Sequence, residues 1–176
     1  MRSTLDDLKN RRSIRSFKPE QIKKEDLDAI LEAGTYAASG GGAQPAIIVV
    51  VQDKAVIAEI DAIKAEATNG KPAEKPFNDC VTLAIVLVDT GPSARTPLED
   101  GCLVMGNMLN AAYAVGVGSC WLHRAKETFD SPKGKALLEK WGITGAYQGV
   151  GFCSLGYPEG EHPQAKPRKD NYIYRV

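Results

Sequence analysis

The chain has 176 residues, 43% apolar and 25% charged, which suits one globular domain over 1–176 with a sizeable core rather than two independent ones. Its 22 Lys and Arg balance its 22 Asp and Glu, so the formal net charge is zero, and a nucleic-acid binder, which carries an overall basic bias, is disfavoured. The first residues, MRSTLDDLKNRRS, lack the apolar run of a signal peptide, and no apolar stretch approaches the roughly 20 residues that span a bilayer, so the expectation is cytoplasmic with no membrane role.

In chain order, STLDDLKNR (3–11) opens as a short helix, with Ser3 or Thr4 as cap and Asp6 and Asp7 in the first turn. An arginine-rich segment follows and ends at Pro19. KKEDLDAILEAGTYAAS (23–39) places Leu27, Ile30, Leu31 and Gly34 at helical spacing, an amphipathic helix. SGGGAQP (39–45) breaks it with three glycines and a proline. AIIVVVQD (46–53) is a buried strand and DKAVIAEIDAIKAEA (53–67) a helix. TNGKPAEKPFND (68–79) reads as an exposed loop, and CVTLAIVLVDT (80–90) as a second buried strand.

TPLEDGCLVMGNMLNAAYAVGVGS (96–119) carries a helix-entry signal: Thr96 as cap, Pro97 in the first turn, Glu99 and Asp100 complementing the dipole. From Leu98 to Val115 it is apolar almost all round, so it needs cover on most sides, and an oligomer interface is the expected cover. GVGSCWLHR (116–124) is a glycine turn into a short strand. DSPKGKALLEKWGI (130–143) is a helix capped by Ser131, with Pro132 at its first position. AYQGVGFCSLGYP (146–158) is a strand ending in a turn. The tail is polar and proline-interrupted but closes on β-prone YIYRV, an end suited to pairing with another sheet, a partner's included. The expectation is four to five strands and five helices, with early strands parallel because helices join them, in a three-layer α+β or α/β sandwich.

Arg11, Arg12 and Arg15 crowd five residues around Ser13. A phosphate wants converging cationic donors, and arginine's planar fork matches its oxygens. In an extended segment Arg11, Ser13 and Arg15 share one face, with Arg12 and Ile14 on the other; a solvated basic linker is the plainer alternative. Lys166, Arg168 and Lys169 form a second basic set, with Pro167 keeping the chain extended; again a solvated tail is the alternative. The glycine loop would let backbone groups approach a flat ligand, with the Gln44 amide able to donate and accept, or it is only a helix stop. It is no P-loop, and GVGSC is no dinucleotide fingerprint. His123 and His162 are the only histidines, so a Cys120–His123 pair or a metal site finds little support. Cys80, Cys102, Cys120 and Cys153 form no CxxC pair and read as buried reduced thiols.

Taken together, RRSIRSFKPEQIKKEDLDAILEAGTYAASGGGAQPAIIVVV, AYAVGVGSCWL and GFCSLGYPEGEHPQAKPRK, in this order, resemble the FMN-dependent nitroreductase family over most of the chain. The resemblance implies an α+β, three-layer α/β/α sandwich with a mixed four- to five-stranded sheet, its C-terminal segment extending onto the partner subunit. It implies a homodimer with FMN at the subunit interface. By matched position, Arg11, Ser13 and Arg15, helped by Arg12, would hold the ribityl phosphate, and Lys166 and Arg168 would complete that site. Ala38, Ser39 and Gly40 would line the flavin ring from the other subunit, Gln44 is a further cofactor-binding candidate through its amide, and Trp121, Leu122 and His123 would lie beside the ring on the strand side. The implied activity is transfer of a hydride from NADH or NADPH through the flavin to nitroaromatics, quinones or similar flat acceptors, by ping-pong kinetics, with no catalytic side chain and no metal. Three positions depart from the family pattern: Ala38 for its frequent Pro, Gly42 for Asn and Ala46 for Trp. Two alternatives stay open: a specialised flavin enzyme (a reductive dehalogenase or a flavin-cleaving enzyme), and an FMN-binding protein without turnover, which the missing Asn and Trp motivate.

Overall fold

The computed structural model describes residues 3–176. Four strands, β1 (Ala46–Val51), β2 (Thr82–Asp89), β3 (Gly118–Leu122) and β4 (Tyr147–Gly156), form one sheet in the order β1-β2-β4-β3. Every pairing between these strands is antiparallel. The parallel β1–β2 neighbours expected from the sequence are therefore corrected. Val51 at the end of β1 lies opposite Leu83 near the start of β2. Helix α3 (Lys54–Ala67) runs out and the segment 68–81 runs back, so the connection returns to the end it left. The sheet has its mixed character from elsewhere: Ser13 bridges Ser119 in the parallel sense, and the Ile14 N–H donates to the Ser119 carbonyl at 2.9 Å.

Helices cover both faces. Leu83, Ile85 and Leu87 of β2 point into one core with Ile57, Ile60 and Ile63 of α3, Phe129 of α5 (Ala125–Asp130) and Leu137 of α6 (Pro132–Lys140). Ala84, Val86 and Val88 point into the other, against Leu27 and Ile30 of α2 (Lys24–Thr35) and Val104, Met105 and Met108 of α4 (Pro97–Ala114). A strand with side chains alternating between two dry layers has to be apolar at every position, which is why 80–90 reads as an unbroken apolar run. The result is the three-layer α/β/α sandwich of the α+β class.

The caps explain most helix starts. Ser3 and Asp6 form a reciprocal capping box at α1 (Thr4–Asn10). The Asp53 carboxylate accepts from the Ala55 N–H at 2.7 Å, and Ser131 accepts from the Gly134 N–H at 3.0 Å. Thr96 does not cap α4 as the sequence suggests; its hydroxyl donates to Asp100 at 3.1 Å. The 68–79 segment is not simply an exposed loop. Phe77 is buried, its ring 4.7 Å from that of Phe152, and Phe77, Asn78 and Asp79 are all left-handed (φ 49°, 63° and 58°). Buried Asp61 holds the segment by accepting from the Ala73 N–H at 2.6 Å and from Lys64 Nζ. Among the described residues no helix is long and apolar enough to cross a membrane.

Candidate functional site

Past the end of α1, which the Arg11 N–H closes on the Asp7 carbonyl at 2.9 Å, the arginine segment lies along the edge of β3. Ile14 and Phe17 are buried and three residues apart, so the segment follows no strict two-residue alternation. The guanidinium of Arg12 folds onto the carbonyls of Lys9 (2.9 Å) and Arg11 (2.6 Å), and its Nε is buried without a partner. Arg11 and Ser13 are half-buried and Arg15 is exposed. Among the described residues no hydrogen bond or ion pair engages the Arg11 or Arg15 guanidinium or the Ser13 hydroxyl. Two uncommitted cations and a hydroxyl on one short segment fit a phosphate.

The C-terminal tail returns along this segment. The Lys18 N–H donates to the Tyr157 carbonyl at 2.9 Å, Phe17 bridges Pro158, and the Glu159 N–H donates to the Ser16 carbonyl at 3.0 Å. His162 Nε2 lies 2.8 Å from the Asn10 carbonyl oxygen, one residue before Arg11. Lys166 and Arg168 are exposed, and the Arg168 guanidinium turns onto the Lys166 carbonyl at 2.6 Å. Lys166 is four residues past His162, a tether of at most about 14 Å, so the tail is long enough to bring its basic set to the segment that His162 contacts.

The glycine loop lies elsewhere. After α2, Gly40–Gly42 makes a tight 3-10 turn with Gly41 and Gly42 left-handed (φ 63° and 71°), followed by Gln44 at φ 49°. The Gln44 N–H donates to the Ser39 hydroxyl at 3.1 Å, and the Gly40 N–H donates to Asp100 Oδ1 at 2.9 Å. Ala38, Ser39 and Gln44 border a cavity of about 470 Å³ with Leu31, Ile48 and Asp100. The loop is thus at the N-terminal end of α4, while Arg12 shares a small cavity with Tyr113 and Gly116 at its C-terminal end. The intervening helix rise is about 20 Å.

Trp121 is half-buried, and a Cβ on Gly151 would fall 2.1 Å from its indole nitrogen, so the nitrogen side of the ring packs closely on a glycine backbone. That nitrogen is buried without a partner. Leu122 packs into the α3-side core, while His123 is exposed with its ring 5.8 Å from the Trp121 ring. His123 and Leu98 border one surface hollow. β3 therefore leads from the arginine segment, at Ser119, back toward the N-terminal end of α4.

The thiols are not disposed for nucleophilic chemistry. Cys80, Cys120 and Cys153 are buried, whereas Cys102 is only half-buried, contrary to expectation; all four are free. Burial pushes the Cys80 thiol up to about 12, and burial, with Cys120 and Cys80 nearby, pushes Cys153 up as well. Such thiols are poor nucleophiles. Among the described residues no group of three or more His, Cys, Asp or Glu is arranged for a metal ion.

A sequence model of the Nitroreductase family matches residues 8–157. The chain belongs to the nitroreductase family. An Archaeoglobus fulgidus protein provisionally named NADH dehydrogenase/NAD(P)H nitroreductase is 32% identical over 168 residues, covering 92% of this chain and 88% of that protein. A Bacteroides fragilis nitroreductase crystallised with bound FMN superposes over 100% of both chains with TM-score 0.85 and 28% identity. An FMN-dependent nitroreductase of Clostridium difficile superposes over 98% of both chains with TM-score 0.84 and 26% identity. Membership in the nitroreductase family carries a class with it, that of the FMN-dependent oxidoreductases.

Sequence reasoning missed Asp100. It counted this side chain as one of two acids complementing the α4 dipole, but Asp100 is buried, 3% exposed, and bonded to the glycine loop. The adjacent Glu99 is exposed. Two acids in a first turn look alike in sequence, and only the fold turns one of them inward.

Proposed function

We propose that the protein is a single FMN-binding domain over 1–176 that takes a hydride from NADH or NADPH and passes electrons to nitroaromatics, quinones or similar flat acceptors in a ping-pong cycle. The observation that carries this reading is the uncommitted Arg11, Ser13 and Arg15 set on the edge of β3, two strand positions from Trp121. These side chains, helped by Arg12 and by Lys166 and Arg168 from the tail, bind the flavin phosphate. Trp121, Leu122 and His123 line the strand side of the ring, and Ala38, Ser39, Gly40 and Gln44 line it from a second subunit. Bound FMN supplies the hydride chemistry; the protein positions the ring, excludes water and offers backbone N–H groups. No side chain is assigned as a general acid.

The second subunit is part of the proposal. Arginine segment and glycine loop stand at opposite ends of α4 in one chain, so a two-fold pair would bring one subunit's loop to the other's arginines. β1 is an edge strand with Val50 37% exposed, and Leu98 and Leu103 of α4 are exposed too. Tyr172, Ile173 and Tyr174 of the tail are exposed and apolar. A homodimer in which the tail crosses to the partner covers these surfaces. A cytoplasmic setting accords with four cysteines free of disulfides.

The test is anaerobic mixing of the FMN-loaded protein with NADH or NADPH. Prompt bleaching of the flavin absorbance, followed by its return on adding a quinone or nitroaromatic, is the expected result. A flavin that neither nicotinamide bleaches would leave an FMN-binding protein and remove the oxidoreductase cycle.

A further inference from the structure

We infer that Asp100 is a positioning residue for the flavin: it ties the glycine loop down through the Gly40 amide, and its negative charge behind that loop biases the balance between oxidised and reduced cofactor. This rests on the placement of Ala38–Gly40 against the ring proposed above.

A carboxylate buried this far loses its hydration and needs donors in return. Asp100 has two, and both go to one oxygen: the Gly40 N–H at 2.9 Å and the Thr96 hydroxyl at 3.1 Å reach Oδ1. The other oxygen, Oδ2, is buried without a partner. The helix dipole does not account for the burial, because Glu99 complements the same helix end from the surface. What singles Asp100 out is the loop. Three loop residues are left-handed, and one of them, Gln44, is not a glycine, a conformation that costs about 1 kcal/mol. The loop's other hydrogen bonds, Gly42 N–H to the Ser39 carbonyl, Ala43 N–H to the Gly40 carbonyl and Gln44 N–H to the Ser39 hydroxyl, are internal to it. Among the described residues two hydrogen bonds fasten the loop 39–45 to the rest of the protein: the Asp89 N–H donates to the Pro45 carbonyl at 2.9 Å where β1 begins, and the Gly40–Asp100 bond holds the other end. The approach is close enough that a Cβ on Gly40 would meet the Thr96 hydroxyl at 2.3 Å.

The electrostatic consequence has a definite sign. Reduction places negative charge on the flavin. A half-compensated carboxylate one hydrogen bond behind a ring-lining residue opposes that charge, the more so away from bulk water. Asp100 therefore favours the oxidised cofactor, and neutralising it favours the reduced one.

Three variants test this: Asp100→Asn, which keeps the shape, Asp100→Ala, and Thr96→Val, which strips a donor from the carboxylate. The readouts are hydrogen exchange of the Gly40 amide in the apoprotein, the dissociation constant for oxidised FMN, and the two-electron potential of bound FMN. In Asp100→Ala the Gly40 amide should exchange at least tenfold faster and oxidised FMN should bind several-fold more weakly. In Asp100→Asn the ratio of reduced to oxidised affinity should rise about tenfold, which is a rise of about 30 mV for a two-electron couple. Thr96→Val should move the potential the other way. A wild-type potential in Asp100→Asn, or wild-type Gly40 exchange in Asp100→Ala, overturns the inference. If wild-type apoprotein takes up no FMN, it is the flavin placement that fails, and Gly40 exchange still decides whether Asp100 holds the loop.

Discussion

At the scale of single residues, the chemistry rests on which cations are already engaged. Among the described residues Arg12 is occupied with the Lys9 and Arg11 carbonyls, and exposed Arg168 with that of Lys166, whereas Arg11 and Arg15 are engaged with neither a carbonyl nor an acid. Arg11→Ala combined with Arg168→Ala should weaken FMN binding by at least about 100-fold, since charge-assisted hydrogen bonds contribute roughly 1.5–3 kcal/mol each, while the far-UV circular dichroism and melting transition stay those of a folded protein; titration of the apoprotein by flavin fluorescence measures it. Gly151→Ala should cost about 1–3 kcal/mol in urea unfolding, because the new Cβ would sit 2.1 Å from the Trp121 indole and force that side chain off its seat. The arginine cluster was legible because three like charges in five residues need a reason. The division of labour among them was not: which guanidinium turns back onto a carbonyl depends on where α1 stops. Asp100 was illegible for a similar reason, since its partner Gly40 lies 60 positions away.

At the scale of elements, local signals and long-range ones separate cleanly. Helices with side-chain caps, at Ser3, Asp53 and Ser131, begin where the sequence says. The six-residue α5 has no period to detect and was passed over. Strand direction was misjudged because a helix between two strands suggests a crossover, and only the return path of 68–81 shows that the chain comes back to its starting end. That path is tied by Asp61, so Asp61→Ala should lower stability by about 1–3 kcal/mol in chemical denaturation and expose the 68–79 segment to protease. Cys80, which stands at the entry to β2, supplies a pH dependence. Its folded value of about 12 lies above the ordinary 9.0. A raised value means stability that is fully present below pH 9 and is lost as pH rises from 9 toward 12, by about 1.4 kcal/mol per unit. Wild type should lose stability more steeply than Cys80→Ala across that window; parallel curves would remove Cys80 as a contributor.

At the scale of the whole molecule, the single chain leaves unfinished surfaces: the outer edge of β1, the apolar side of α4 around Leu98 and Leu103, and the tail from Tyr172 to Val176. The all-round apolarity of α4 announced the need for cover, and the YIYRV end announced a strand-like segment without a local mate, but neither says where a second copy sits. Light scattering should give a dimer, and, if the ring wall from Ala38 to Gly40 is supplied by the other subunit as proposed, removing residues 170–176 should shift it toward monomer and weaken FMN binding together. The central claim is that cations from both ends of the chain hold the phosphate of one flavin. Parallel titration of the apoprotein with FMN and with riboflavin, which lacks the phosphate, tests it most directly. FMN should bind at least about 100-fold more tightly than riboflavin, and the difference should vanish in the Arg11→Ala, Arg168→Ala double variant. Equal affinity of the wild-type protein for the two flavins would contradict the claim.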